Sequence, residues 1–118
     1  MKTRQETFNE AVAGLAAQGF ERSMNSDWTC VHRGARGHKC AIGVLLPDDS
    51  PDDVLSFAGC VMALRDRFPD LPLFAEHDVA LLQELQLAHD NGHVPGEMRY
   101  DLRRVAREFK LDLPEVLK

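Results

Sequence analysis

A chain of 118 residues, 44% hydrophobic and 28% charged, is long enough to bury a core as one domain and too apolar to be disordered. No apolar run approaches the roughly 20 residues that span a bilayer, and the opening Met-Lys-Thr-Arg-Gln-Glu lacks the apolar core of a signal peptide, a pattern that points to a cytoplasmic chain with no membrane partner. The net charge of −5 argues against a general nucleic-acid binder, and three cysteines, an odd number, argue against a closed disulfide framework.

Taken in order, Thr3-Arg4-Gln5-Glu6 has the spacing of a capping box. Phe8, Ala11, Val12, Leu15 and Ala16 follow on one helical face, which predicts a helix from about Arg4 to Gln18, closed by Gly19. A polar connector with Phe20 and Met24 as apolar anchors leads into Trp-Thr-Cys-Val-His-Arg, residue types that favour a strand. Gly34-Ala35-Arg36-Gly37 supplies a turn, and His38-Lys39-Cys40 begins a return. The apolar Cys40–Leu46 run has no alternation. It reads as a short helix, with a continued strand as the alternative.

Pro47-Asp48-Asp49 ends that run. Ser50 as N-cap, Pro51 at the first helical position and Asp52-Asp53 beside the dipole then predict a helix carrying Val54, Phe57, Ala58, Val61, Leu64 and Phe68, kinked or split at Gly59. Leu71-Pro72-Leu73 reads as an extended linker. A helix from Ala75 to Asp90 stops at Asn91-Gly92, and Pro95 opens a last long helix with Met98, Leu102, Val105 and Phe109 inside. The tail, Leu111 to Leu117, should fold back. The expected fold class is α+β, mostly α: about four main helices around one core, with a small two-stranded β-hairpin at about residues 28–40, anchored by Trp28 because a lone hairpin is unstable in water.

Cys30-Val31-His32-Arg33, the glycine turn and then Gly37-His38-Lys39-Cys40-Ala41-Ile42-Gly43-Val44-Leu45-Leu46-Pro47-Asp48, followed later by Leu85-Gln86 and His89-Asp90, resemble a group of small phage and bacterial proteins. That group reads roughly C-x-Y-R, G-x-K-C-A-V-G-x-L-I-P-D and L-Q-x-x-H-D. His32 and His38 depart from it, standing where an aromatic and an apolar residue are usual. The resemblance implies a phage or bacterial accessory protein and carries no activity with it.

Four chemistries compete for these residues. Cys30, His32, His38 and Cys40 have zinc-compatible side chains, but only a register with His32 opposite His38 would put all four together; buried thiols are the preferred reading, so no metal or cofactor is expected. Cys40 at a helix N-terminus, beside Lys39 and His38, is a candidate nucleophile with His89 or His77 as base. Asp90 directly follows His89 and should point elsewhere, and His89, in a last helical turn, is better placed to cap carbonyls. Asp48, Asp49, Asp52 and Asp53 lack the spacing and glycine of a calcium loop and read as helix caps. Arg33, Arg36, His38 and Lys39 crowd the hairpin tip, while Arg99, Arg103, Arg104, Arg107 and Lys110 share the last helix with Asp101 and Glu108, a mixed solvated face. The sequence therefore favours a binding module that contacts another protein, through the tip formed by Arg33, Arg36, His38 and Lys39. A Cys40-dependent thiol enzyme and a zinc-stabilised module are the alternatives.

Overall fold

The computed structural model describes residues 1–24, 31–34 and 37–118. Among them, three long helices build the main core and four short ones a smaller core beside it. The first long helix, α1 (Arg4–Ala17), starts on the capping box the sequence encodes: Glu6 N–H donates to the Thr3 hydroxyl at 3.1 Å, and Thr3 N–H donates to the Glu6 carboxylate at 3.0 Å. Such a cap contributes about 1 kcal/mol. Phe8, Ala11, Val12 and Leu15 bury one face of α1 against Leu81, Leu85 and Ala88 of α6 (Val79–Asp90) and Met98, Leu102, Val105 and Ala106 of α7 (Pro95–Glu108).

The smaller core belongs to α2 (Ala41–Leu45), α3 (Asp52–Leu55), α4 (Val61–Arg67) and α5 (Pro72–Glu76), joined by Cys40, Ile42, Leu46, Val54, Val61, Leu64, Leu73 and Leu82. The two cores share α2 and α6. Ala41 faces one and Ile42 the other, and Leu81 and Leu82 divide in the same way.

The α+β assignment is corrected. The described residues contain no β-strand; the expected hairpin is reduced to one antiparallel bridge, Arg33 to Lys39. The cause is where the backbone hydrogen bonds go. Val31 N–H donates to Ser23 O and Arg33 N–H to Leu55 O, so the facing arm is held by just the two bonds that flank the bridge, Cys40 N–H to His32 O and Gly34 N–H to His38 O. The segment is stitched to three neighbours in turn, so no ladder accumulates. The return has no length either, because α2 begins at Ala41. The Trp28 anchor lies outside the described residues.

The later helices are shorter than the apolar stripes suggest. The stripe from Val54 to Phe68 is split, with Gly59 at φ 155°, a conformation that side-chain-bearing residues rarely adopt. Pro51 serves as N-cap of α3 instead of its first residue, and the Ser50 hydroxyl turns back to Pro47 O. The stretch around Pro72 is helical where a linker was expected, since proline at the first helical position loses no hydrogen bond. Its helix ends at Glu76, and α6 starts afresh with Asp78 as N-cap, accepting from Leu81 N–H at 2.9 Å. After α7, Lys110 at φ 57° reverses the chain, and Leu111 N–H closes on Ala106 O. The tail then folds back to a 3-10 turn (Glu115–Leu117) that seats Leu117 in the main core.

Candidate functional site

The bridge register decides what meets what. With Arg33 opposite Lys39, His32 stands opposite Cys40 and their side chains share a face. His32 Nδ1 lies 2.9 Å from Cys40 Sγ, both fully enclosed. Cys40 keeps extended dihedrals as N-cap of α2, and its sulfur accepts the Gly43 N–H at 3.2 Å. Gly43 has to be glycine: a Cβ there would run into the His32 carbonyl. The His32 ring stacks on Phe57 at 5.9 Å, and its Nε2 has no hydrogen-bond partner among the described residues.

A second polar chain runs behind this pair. Ile42 N–H donates to Gln86 Oε1, and Gln86 Nε2 donates to Asp90 Oδ1 at 2.9 Å. Asp90 Oδ1 also meets His89 Nδ1 at 2.7 Å, while His89 Nε2 accepts the Ser23 N–H at 2.9 Å. Because Nε2 is an acceptor, the neutral ring carries its proton on Nδ1 and donates it to Asp90. Two sequence expectations are corrected here. Asp90 does orient His89 despite being its neighbour, because Nδ1 is the ring nitrogen nearest the backbone and a short carboxylate reaches it. Nor does His89 cap carbonyls; it receives a backbone N–H from the connector after α1.

These contacts define what the Cys40–His32 pair can do. Burial pushes the Cys40 thiol up to about 12 and the His32 imidazole down to about 4. The resting pair is therefore neutral thiol and neutral imidazole, without the thiolate–imidazolium charge of a cysteine nucleophile. His89 serves the Ser23–Asp90 network instead of the sulfur, and His77 is buried against the Thr7 hydroxyl at 2.6 Å.

For a metal, His32 and Cys40 meet, whereas the His38 ring turns to Glu21, 3.5 Å away, and Cys30 lies outside the described residues. The described residues hold no group of three His, Cys, Asp or Glu side chains that could bind an ion. The acidic run is dispersed as well: Asp48 pairs with Arg33, and Asp52 and Asp53 sit in the first turn of α3.

The described basic residues of the tip, Arg33, His38 and Lys39, are engaged by the fold. Arg33 donates to the carbonyls of Gly43 (3.2 Å) and Leu46 (2.9 Å), closing the C-terminal end of α2, and pairs with Asp48 at 2.9 Å. The same guanidinium holds the Asp48 carboxyl below its usual range. Lys39 reaches Asp48 at 3.6 Å, and its backbone is clasped by the Gln18 amide at 2.8 and 2.6 Å. Arg36 lies outside the described residues.

A concave surface exists elsewhere. Between α7 and the returning tail runs a groove of about 320 Å³, lined by Tyr100, Arg103, Ala106, Arg107, Leu111 and Leu113. It is preformed. Gln5 clasps the backbone of Asp112 with both amide atoms (2.8 and 3.0 Å), Arg103 donates to Leu117 O at 3.2 Å, and Leu117 is fully buried. Tyr100 is 62% exposed, and Arg107 is exposed beside it. The charges of α7 are segregated: Arg104 takes Asp101, Glu108 and Glu84 at 3.6, 2.8 and 3.5 Å. Arg103 and Arg107 have no carboxylate partner among the described residues. The chain matches no family model, no curated protein and no solved structure.

The groove is not legible in the sequence, for a physical reason. Arg103, Arg107 and Tyr100 read as a solvated face, and only the fold-back of Leu111 and Leu113 gives that face an apolar wall. The spacing of Arg99, Arg103 and Arg107, four residues apart, was the available signal.

Proposed function

We propose that this chain is a small cytoplasmic protein-interaction module without catalysis, and that its contact surface is the α7–tail groove. The observation that carries the reading is the joint exposure of Tyr100 and Arg107 over an apolar wall of Leu111 and Leu113. Tyrosine and arginine around a small apolar pocket are the residue types that dominate binding energy at protein interfaces. Arg33, by contrast, is engaged in closing α2, and both Arg33 and Lys39 are answered by Asp48. The membrane is not favoured as a partner, since no described helix is long and apolar enough to cross one. The resemblance of the Cys30–Asp48 stretch to phage and bacterial proteins supports an accessory, host-modulating setting.

Photocrosslinking tests this reading. A photoreactive phenylalanine analogue replaces Tyr100 in the cells that express the protein, with the same probe at exposed Asp53 as control. A discrete adduct from position 100, lost when Arg107→Glu is added, is the expected result. Equal labelling from both positions, or none from position 100, overturns the proposal.

A further inference from the structure

Resting on that reading, we infer that the groove takes an extended acidic segment of a partner protein in which carboxylates alternate with apolar side chains. Its two walls differ in chemistry. Arg103 and Arg107 stand on the α7 wall, one helical turn and about 6 Å apart along the axis. Leu111 and Leu113 stand on the tail wall.

An extended chain sends successive side chains to opposite sides, and same-side neighbours recur about 6.8 Å apart. A carboxylate–apolar–carboxylate triplet laid along the groove thus places its two carboxylates against the two guanidinium groups. The apolar side chain between them faces the leucines.

Charge decides the sign of the ligand. Every acidic side chain of α7 near its C-terminal half is turned to Arg104, so the groove is locally positive on a chain whose net charge is −5. A nucleic acid would also present anions, but the leucine wall and the net negative charge both disfavour it. The chain's own acidic run, Asp48 to Asp53, is a further anionic candidate. There the acidic residues come in adjacent pairs instead of alternating, so the match is poorer.

Fluorescence anisotropy with the full chain tests the match. The probes are a labelled peptide with an Asp-Leu-Asp-Leu-Asp core and one of identical composition with its aspartates and leucines in two blocks. Saturable binding of the alternating peptide is expected, several-fold tighter than the block peptide and weakening as salt is raised. Arg107→Glu, an exposed substitution whose fold is checked by circular dichroism, should weaken it at least about tenfold. Equal affinity for the two peptides, no binding of the alternating one, or displacement by a single-stranded oligonucleotide in preference to excess unlabelled peptide overturns the inference. Concentration-dependent self-association that the peptide cannot compete away also overturns it, in favour of a second copy as occupant. An Arg107-dependent crosslink at position 100 together with absent peptide binding would leave the interaction-module reading intact and remove this one. Failure of both removes both.

Discussion

The buried His32 ring makes the fold sensitive to mild acid. Protonation would give it a second N–H to donate, yet Nε2 has no partner among the described residues and the ring is sandwiched against Phe57. Its pKa accordingly falls from 6.5 to about 4 in the folded chain. Below pH 6.5 the unfolded chain takes up this proton and the folded chain does not, so stability is full above that value and declines as pH falls towards 4. At 1.36 kcal/mol per pH unit the whole window amounts to about 3 kcal/mol, of which about 2 kcal/mol is lost between pH 7 and pH 5. Burial lowers the His77 pKa too, so that residue acts in the same direction. Asp48 and Asp78, lowered by Arg33 and by the Leu81 N–H respectively, begin to matter only at lower pH. The assay is urea unfolding at pH 7, 6 and 5, followed by the helical circular dichroism band, on the wild type and on His32→Phe. Phenylalanine keeps the stack on Phe57 and cannot titrate. The variant should lose about 2 kcal/mol less than the wild type between pH 7 and pH 5. Parallel curves would refute the reasoning.

Two further expectations follow from the same interior. With iodoacetamide at neutral pH, exposed Cys60 should be alkylated in the native chain at the rate of an ordinary thiol, while Cys40, enclosed and with its pKa pushed up to about 12, should react only as the chain opens. Comparable native rates, read by mass spectrometry of the digested protein, would contradict the buried neutral thiol. Around α2, Arg33→Ala removes the donors from two carbonyls and should destabilise by about 1–3 kcal/mol. Asp48→Ala breaks only a pair whose carboxylate is 84% exposed and should cost under about 1 kcal/mol. Thermal melts of the two variants test that inequality.

The long helices were legible because their signals are local. Thr3 and Glu6 mark the first start, Pro95 the last, and apolar residues at helical spacing fill the faces between. The segment around His32 was not. Its residue types favour a strand, but whether a strand forms depends on where each N–H finds an acceptor, and Ser23 O in the preceding connector and Leu55 O in α3 took two of them. Gly59 was legible as the place where the Val54–Phe68 stripe kinks or splits, whereas Pro72 opens a short helix where an extended linker was expected. The Cys40–His32 contact was hidden by register alone. Shifting the pairing by one residue puts a different side chain across from the thiol.

Gly59 and its neighbours also set how the molecule is divided. The exposed turn between α3 and α4 falls at the midpoint of the chain, with α1, α2 and α3 before it and α4 to α7 after it. Across that boundary Phe8 and Leu15 share the main core with Leu85 and Leu102, and Ile42 and Val54 share the smaller one with Leu64 and Leu82. Each half owns one side of both cores and neither owns a whole one. A nick at this turn would leave two fragments that need each other to fold, making the protein a ready-made split pair whose reunion restores the groove.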